Sequence, residues 1–179
     1  MIRVFPVLGG ASFRPEFRAV ASPAGRQHLG IDLFAPEGTP LLAVDDGLAS
    51  FGTDPLGGNV VNLRSPDGTR AYYAHLSRFE GGSRAVRAGE VIGYVGTTGN
   101  ASGKPPHSHF EVHPGGCAAV DPYAALAMAP VARASAAVAR ASASSAALGL
   151  ALVAAAGDLA WALSSGSGML SRPRRRAST

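Results

Sequence analysis

Short apolar segments alternate with glycine-rich turns between residues 28 and 113. Turn signals separate these segments, and none of them has convincing helical periodicity, so each is predicted to be a strand. The predicted strands are 40–44, 48–52, 59–64, 70–75, 90–96 and 107–113. The dipeptide Asp67-Gly68 between two of them predicts a hairpin turn. Closely spaced strands with such turns predict a mainly β domain, either an antiparallel sandwich or a partly open barrel.

The composition changes near residue 124, where alanine and serine become dominant. Residues 1–123 are therefore predicted to form one domain, with its core in 26–114. Residues 124–179 are predicted to form a low-complexity tail that is largely helical, because alanine favours helix. Residues 146–163 are apolar apart from Asp158 and are long enough to span a bilayer. A transmembrane helix, a docked membrane-associated helix and a flexible tail all remain open for this segment.

Charge is distributed unevenly along the chain. The net charge is +4, from 16 Lys and Arg against 12 Asp and Glu. Six of the basic residues but a single acidic one, Asp158, lie beyond residue 123, so the predicted domain is close to neutral. This distribution argues against nucleic-acid binding by the domain. The basic end, 172–176, is predicted to be solvated or to touch anionic lipid, phosphate or an acidic wall polymer.

Two clusters of histidine and aspartate are the strongest functional signal. His107 and His109 are two residues apart on a predicted strand and therefore point to the same face. His28 and Asp32 lie near a turn, from which they can meet the histidine pair. Two imidazoles and a carboxylate, with a further imidazole to spare, match the three-ligand pattern of a catalytic zinc site. Cys117 is the single cysteine, which excludes a thiolate cage and an internal disulfide.

These clusters and the segments between them resemble the lysostaphin/LytM-type zinc metallopeptidases, which cut peptide cross-links in bacterial peptidoglycan. The resemblance runs from about residue 10 to residue 123. It is carried by the blocks His28-Leu29-Gly30-Ile31-Asp32, Ala35-Pro36-Glu37-Gly38-Thr39-Pro40, Ala43-Val44-Asp45-Asp46-Gly47, Tyr73-Ala74-His75-Leu76-Ser77, Gly89-Glu90-Val91-Ile92-Gly93-Tyr94-Val95-Gly96, Thr98-Gly99-Asn100 and Pro106-His107-Ser108-His109-Phe110-Glu111-Val112. The resemblance implies a duplicated-hybrid-motif fold and a zinc-dependent endopeptidase that acts on peptidoglycan peptides.

The resemblance also implies a role for each residue of the site. His28, Asp32 and His109 would bind one zinc ion per chain. His75 and His107 would flank the water that the metal activates. The chemistry agrees with this division, because zinc lowers the pKa of a bound water to about 7. One imidazole can then move a proton to the leaving amine, and a second can hydrogen-bond the oxyanion.

Five further residues near the clusters have distinct expectations. Glu111 shares strand parity with the histidine pair and is a candidate to orient a ligand from outside the metal's own ligand set. His113 shares the same parity and is predicted to lie at the rim or in solvent. Ser108 stands where the family usually has an apolar residue. Lys104-Pro105 lengthens the loop before His107, which is expected to reshape one wall of the groove.

Two other functional classes compete with the hydrolase. One is a non-catalytic relative that binds and activates another wall hydrolase, but such relatives normally lose metal ligands. The other is a carrier domain, because 86–93 looks like a biotinyl or lipoyl hairpin. A carrier needs a modifiable lysine in a hairpin or a phosphorylated histidine, and Lys104, the only lysine, lies between Gly103 and Pro105.

The expected place of action is the bacterial cell envelope or the extracellular space, because peptidoglycan lies outside the cytoplasmic membrane. Residues 1–6 lack the apolar stretch and cleavage site of a secretory signal. A phage or virion lysin, an anchored or unconventionally exported protein, and a misassigned start remain as explanations. An anchor would place the arginine end in the cytoplasm. Nothing in the sequence specifies an oligomeric state.

Overall fold

A computed structural model of the chain describes residues 2–20 and 25–133. The predicted helical tail lies almost entirely outside the described residues, including the segment 146–163 and the basic end 172–176. No helix within the described ranges is long and apolar enough to cross a membrane.

Nine strands form two antiparallel sheets within residues 2–20 and 25–133. The strands are β1 (Ile31–Phe34), β2 (Pro40–Leu42), β3 (Gly47–Asp54), β4 (Gly58–Arg64), β5 (Arg70–Leu76), β6 (Arg78–Phe79), β7 (Arg84–Val86), β8 (Val91–Tyr94) and β9 (His107–His113). The larger sheet has the order β1-β9-β5-β4-β3-β7, and the smaller one has the order β2-β8-β6. Short 3-10 turns span Gly99–Ala101 and Pro114–Gly116, and helix α1 spans Tyr123–Met128.

The prediction of a mainly β, antiparallel domain is confirmed. Each predicted strand overlaps an observed one, and the last has the predicted bounds, His107–His113. The predicted hairpin joins β4 to β5, with Arg64 opposite Arg70 and Gly68 at a φ of 82°. Three short strands, β1, β6 and β7, were not predicted, because each has too few residues to show an alternating pattern.

One apolar core lies between the two sheets. It combines side chains of the larger sheet, such as Val61 and Phe110, with side chains of the smaller one, such as Leu41 and Ile92. Tyr73 is fully buried in this core and ties the sheets together through its hydroxyl group. That hydroxyl donates to the Leu42 carbonyl at 3.0 Å and accepts from the Val44 amide at 3.0 Å. Both partners are backbone groups at the end of β2, so the polar atom is satisfied inside the core.

The chain continues to pack on the core beyond residue 123. Leu126 of α1 is 1 % exposed and belongs to the core cluster. The Phe5 amide donates to the Pro130 carbonyl at 2.9 Å, and the Gly9 amide donates to the Ala132 carbonyl at 2.9 Å. The compact unit accordingly runs to Arg133. The alanine-rich composition does not reveal that α1 packs on the core, because the buried contact depends on one leucine among alanines.

We expect Leu126→Ala in the full chain to lower the free energy of unfolding by about 2–5 kcal/mol, because it opens a cavity in the core. The matched control is Met128→Ala in the same helix, whose side chain is 86 % exposed. That change should stay within about 0.5 kcal/mol of the parent. Chemical denaturation followed by circular dichroism measures both. Equal effects of the two substitutions would contradict the packing of α1 on the core.

Candidate metal centre

Strand pairing brings the predicted metal ligands together. β1 and β9 are antiparallel neighbours, and their register places Asp32 directly opposite His109. His28 precedes β1 in a segment whose backbone is held by hydrogen bonds with Arg18 and Ala19. Gly30 lies between these ligands, and a Cβ at this position would collide with the Phe110 carbonyl and the His109 ring. A glycine is therefore needed for β9 to approach this closely.

Three ligand atoms converge on one point. His28 Nε2 lies 3.0 Å from Asp32 Oδ1 and 2.9 Å from His109 Nδ1. His109 Nδ1 lies 3.0 Å from the same carboxylate oxygen. Among the described ranges, these three residues are the group of histidine, cysteine or acidic side chains that could hold a metal ion. Two nitrogens and one oxygen form a ligand set that zinc accepts, with a coordination position left over.

The other ring nitrogens explain why this cluster suits a cation. His28 Nδ1 donates to the Glu16 carbonyl at 3.2 Å, and His109 Nε2 donates to Glu111 Oε1 at 2.9 Å. A carbonyl and a carboxylate only accept, so each neutral imidazole carries its proton on the outer nitrogen. The inner nitrogens then present lone pairs to each other and to the Asp32 carboxylate. Three acceptors at about 3 Å with no donor between them require a proton or a metal ion.

The pKa values reflect the same preference for positive charge. Burial alone would lower the pKa of His109, but a ring that gains a proton on its inner nitrogen donates to the carboxylates of both Asp32 and Glu111, and these bonds raise this pKa to about 9. Burial would raise the pKa of Asp32, but hydrogen bonds from the inner nitrogens of His109 and His28, when those nitrogens are protonated, outweigh it and hold the pKa far below its usual value. The carboxylate is therefore ionised and available as a ligand at neutral pH.

Two further histidines lie beside the ligands. His107 Nδ1 donates to the Pro105 carbonyl at 2.8 Å, and His107 Nε2 lies 3.9 Å from Asp32 Oδ2. The His75 ring is centred 5.0 Å from that of His107 and 6.2 Å from that of His109. Since Pro105 supplies an acceptor, the neutral His107 ring presents an acceptor at Nε2 beside the ligand cluster.

His75 has an unusual backbone conformation, with a φ of 66°. Its amide donates to the Gly57 carbonyl at 2.7 Å, and its ring Nδ1 donates to the Thr98 carbonyl at 2.9 Å. Neighbouring Gly58 packs so tightly on Gly99 that a Cβ would collide with the Gly99 amide nitrogen. Two backbone segments thus hold a residue in a region of φ that non-glycine residues rarely occupy. Burial lowers the pKa of His75 to about 4, although the bond to Thr98 opposes this, so the ring is neutral at neutral pH.

The five predicted site residues line one open groove with a volume of about 700 Å³. Its walls also carry apolar residues, such as Leu29 and Leu56, and residues with basic side chains, such as Arg70 and Lys104. The Lys104 loop therefore does form part of the groove, as its position before His107 predicts. The mixture of apolar and charged walls is suited to a peptide rather than to a nucleic-acid backbone.

Two outer residues differ in how well they were predicted. Glu111 contacts His109, as its strand parity predicts. The prediction of a rim position for His113 is wrong, because the residue is only 7 % exposed. The turn after β9 folds back over it, and His113 Nδ1 lies 2.8 Å from the Cys117 carbonyl oxygen. Ser108 is fully buried, and its hydroxyl donates to the Ala74 carbonyl at 3.3 Å.

Tyr72 and Asp54 were missed by the sequence analysis. The Tyr72 hydroxyl donates to Asp54 Oδ2 at 2.8 Å, and its ring meets His109 edge-on with centroids 6.4 Å apart. Asp54 Oδ1 accepts from the Gly57 amide at 2.6 Å and so supports the turn that holds His75. Tyr72 lies opposite Glu111 in the sheet. A correct prediction that β5 pairs with β9 would therefore have placed Tyr72 beside the site. No sequence pattern marks Asp54.

The family profile described as peptidase family M23 matches residues 26–122, which is just over half of the chain. The chain belongs to peptidase family M23. The predicted resemblance to lysostaphin/LytM-type enzymes is therefore confirmed, and the cluster of His28, Asp32 and His109 is the zinc site typical of this family.

Individual relatives agree with the family assignment. The chain is 41 % identical over 121 residues to the DD-carboxypeptidase/endopeptidase Mpg of Neisseria meningitidis serogroup B, covering 61 % of this chain and 28 % of that protein. It resembles the solved catalytic domain of lysostaphin from Staphylococcus simulans with a TM-score of 0.54 and 31 % identity, covering 66 % of this chain and 89 % of that one. The solved structure of a zinc-containing peptidase from Vibrio cholerae matches with a TM-score of 0.55 and 25 % identity, covering 67 % of this chain and 39 % of that one. The chain thus spans little more than a quarter of the length of Mpg.

We expect one zinc ion per chain, and we expect His109→Ala to lose it, because the substitution removes one of three protein ligands. His107→Ala should keep its zinc, since His107 Nε2 is not among the three converging atoms. Elemental analysis of dialysed protein measures both contents. Full zinc occupancy in His109→Ala, or loss of zinc in His107→Ala, would contradict the assignment of ligands.

Proposed function

We propose that this chain is a zinc-dependent endopeptidase that hydrolyses cross-links or stem peptides of bacterial peptidoglycan. The observation that carries the proposal is the convergence of three metal ligands with two further imidazoles, His75 and His107, in one groove. Membership of family M23 supports it, and so do the relatives named as peptidases or endopeptidases. The proposed place of action is the bacterial cell envelope or the extracellular space.

His28, Asp32 and His109 would hold the zinc ion. When bound, zinc acts as a Lewis acid and lowers the pKa of a water in its open position to about 7. The Asp32 carboxylate leaves a formal net charge of about +1 on a divalent ion, and this charge favours an anionic transition state. The protein itself shields these ligands from solvent and places the imidazoles of His75 and His107 beside them.

We assign the two remaining imidazoles different tasks. His107 Nε2 lies 3.9 Å from Asp32 Oδ2, so the carboxylate would stabilise this ring once it has accepted a proton from the attacking water. The protonated ring can then donate to the oxyanion or to the leaving amine. His75 is held neutral by burial and presents an acceptor at Nε2, so it would orient the attacking water by accepting a hydrogen bond.

We expect His75→Ala and His107→Ala each to lower kcat by about 10²–10⁴-fold, because each removes a group that handles a proton or charge in the transition state. Both variants should keep their zinc and a cooperative unfolding transition, which serve as controls. Single-turnover cleavage of a soluble cross-linked peptide measures the effect. Parent-like turnover in either variant would remove that histidine from the mechanism.

Digestion of purified bacterial cell walls tests the proposed function directly. The full chain should release new amino termini from walls, and a chelator should abolish the release until zinc is restored. Mass analysis of the fragments identifies the scissile bond. A chain that binds zinc and walls but releases no fragments would instead be the non-catalytic relative that activates another hydrolase. Retention of all three ligand residues argues against that alternative.

The domain organisation is a further proposal. We propose that the hydrolase unit ends near Arg133 and that the Ala-rich residues beyond it are dispensable for cleavage of soluble substrates. The packing of α1 and the hydrogen bonds to Pro130 and Ala132 support this limit. Membrane contact through 146–163 stays a prediction. A chain ending at Arg133 should cleave soluble wall peptides at the parent rate, and failure to do so would place part of the active site in the tail.

A further inference from the structure

A chain of hydrogen bonds runs outward from one metal ligand. His109 Nε2 donates to Glu111 Oε1 at 2.9 Å, and Glu111 Oε2 is 2.6 Å from His113 Nε2. The other ring nitrogen, His113 Nδ1, lies 2.8 Å from the Cys117 carbonyl oxygen. The side chains of Glu111 and His113 are 14 % and 9 % exposed, so the series is largely shielded from water. Each oxygen of the Glu111 carboxylate contacts a different imidazole.

The two imidazole ligands differ in what holds them from outside. His28 donates to a neutral peptide carbonyl at 3.2 Å, whereas His109 donates to a carboxylate at 2.9 Å. Hydrogen bonds with an ionised partner are shorter and about twice as strong as neutral ones. An imidazole that donates to a carboxylate is also a more basic ligand at its other nitrogen. His109 is therefore the ligand through which the protein can most strongly adjust the affinity of the site for a metal.

The outer end of the series is fixed by backbone rather than by another mobile side chain. The turn at Pro114–Gly116 needs two residues with positive φ, 60° at Gly115 and 75° at Gly116. It brings the Cys117 amide to within 3.0 Å of the Pro114 carbonyl and turns the Cys117 carbonyl towards His113. Val112 and Val120 form a bridge that closes the same loop. His113 therefore has little freedom, and it holds the second oxygen of Glu111 in place.

We propose that Glu111 and His113 are positioning residues that set the zinc affinity of the site by acting on His109. Glu111 orients the imidazole and increases its basicity, and His113 acts one step further out by holding the carboxylate. This inference rests on the zinc site of the proposed function. It adds two residues that neither bind the metal nor touch the reacting atoms.

Zinc affinity of the full, metal-stripped chain, measured by competition with a chromophoric chelator, tests the inference without any activity assay. Glu111→Gln keeps an acceptor for His109 but removes the charge, and it should raise the zinc Kd by about 10–100-fold. His113→Gln should raise it by a smaller factor, about threefold or more, because it acts on the carboxylate rather than on the ligand. The matched control is Glu80→Gln, the same chemical change at a residue outside the groove. Glu80 accepts from the Tyr94 hydroxyl and touches none of the site residues, so this change should leave the Kd unchanged.

The double variant decides whether the two residues act in series. If His113 works through Glu111, then His113→Gln should add no further loss of affinity in the Glu111→Gln background. A Kd for Glu111→Gln within about twofold of the parent would overturn the proposal, as would equal losses from His113→Gln in both backgrounds.

Circular dichroism of the metal-free variants verifies folding. If Glu111→Gln does not fold, His113→Gln alone decides, and an unchanged Kd overturns the proposal. Absence of zinc binding by the parent chain would instead overturn the proposed function.

Discussion

The groove that contains the metal centre depends on the register of β9 between its two neighbours. β9 pairs with β1 on one side and with β5 on the other, so His109 lies opposite both Asp32 and Ala74. Because side chains alternate between the faces of a sheet, a slip of one residue would turn His107 and His109 away from the groove together. The buried side chain of Phe110 opposes such a slip, since it would have to leave the core. The position of the metal site is thus set by apolar packing on the opposite face of the same strand.

The site also shows how a domain with an apolar core can contain a cluster of acceptors. Two imidazole lone pairs and a carboxylate at about 3 Å from one another repel each other unless a cation lies between them. The surrounding backbone adds to this constraint, because the carbonyls of Glu16, Pro105 and Thr98 each accept a hydrogen bond from the outer nitrogen of one histidine. The tautomers of these rings are therefore decided by main-chain groups that a side-chain substitution does not remove. His109 differs from these three histidines, because its outer nitrogen donates to the charged side chain of Glu111.

Most of the fold and the five candidate site residues could be predicted from the sequence, for reasons that differ in kind. The strand at His107–His113 shows both alternation and motif, so its bounds and its inward face were predictable. Strand β1 is only four residues long, and its alternation was hidden among motif residues. His113 was misjudged because its burial depends on a turn that folds back over it, which parity does not reveal. The contribution of Asp54 was out of reach, since it depends on where a turn lies in space.

The contacts of Phe5 and Gly9 with Pro130 and Ala132 bring the two ends of the compact unit side by side. A unit whose entry and exit points are neighbours can be inserted into a loop of another protein without forcing that loop open, or joined to other domains through either end. The same proximity makes circular permutation feasible, with the old ends linked and new ones opened at the exposed Gly81-Gly82 turn. The groove with its metal centre would be retained in such a rearrangement, because its geometry comes from strand pairing rather than from the order in which the strands are joined.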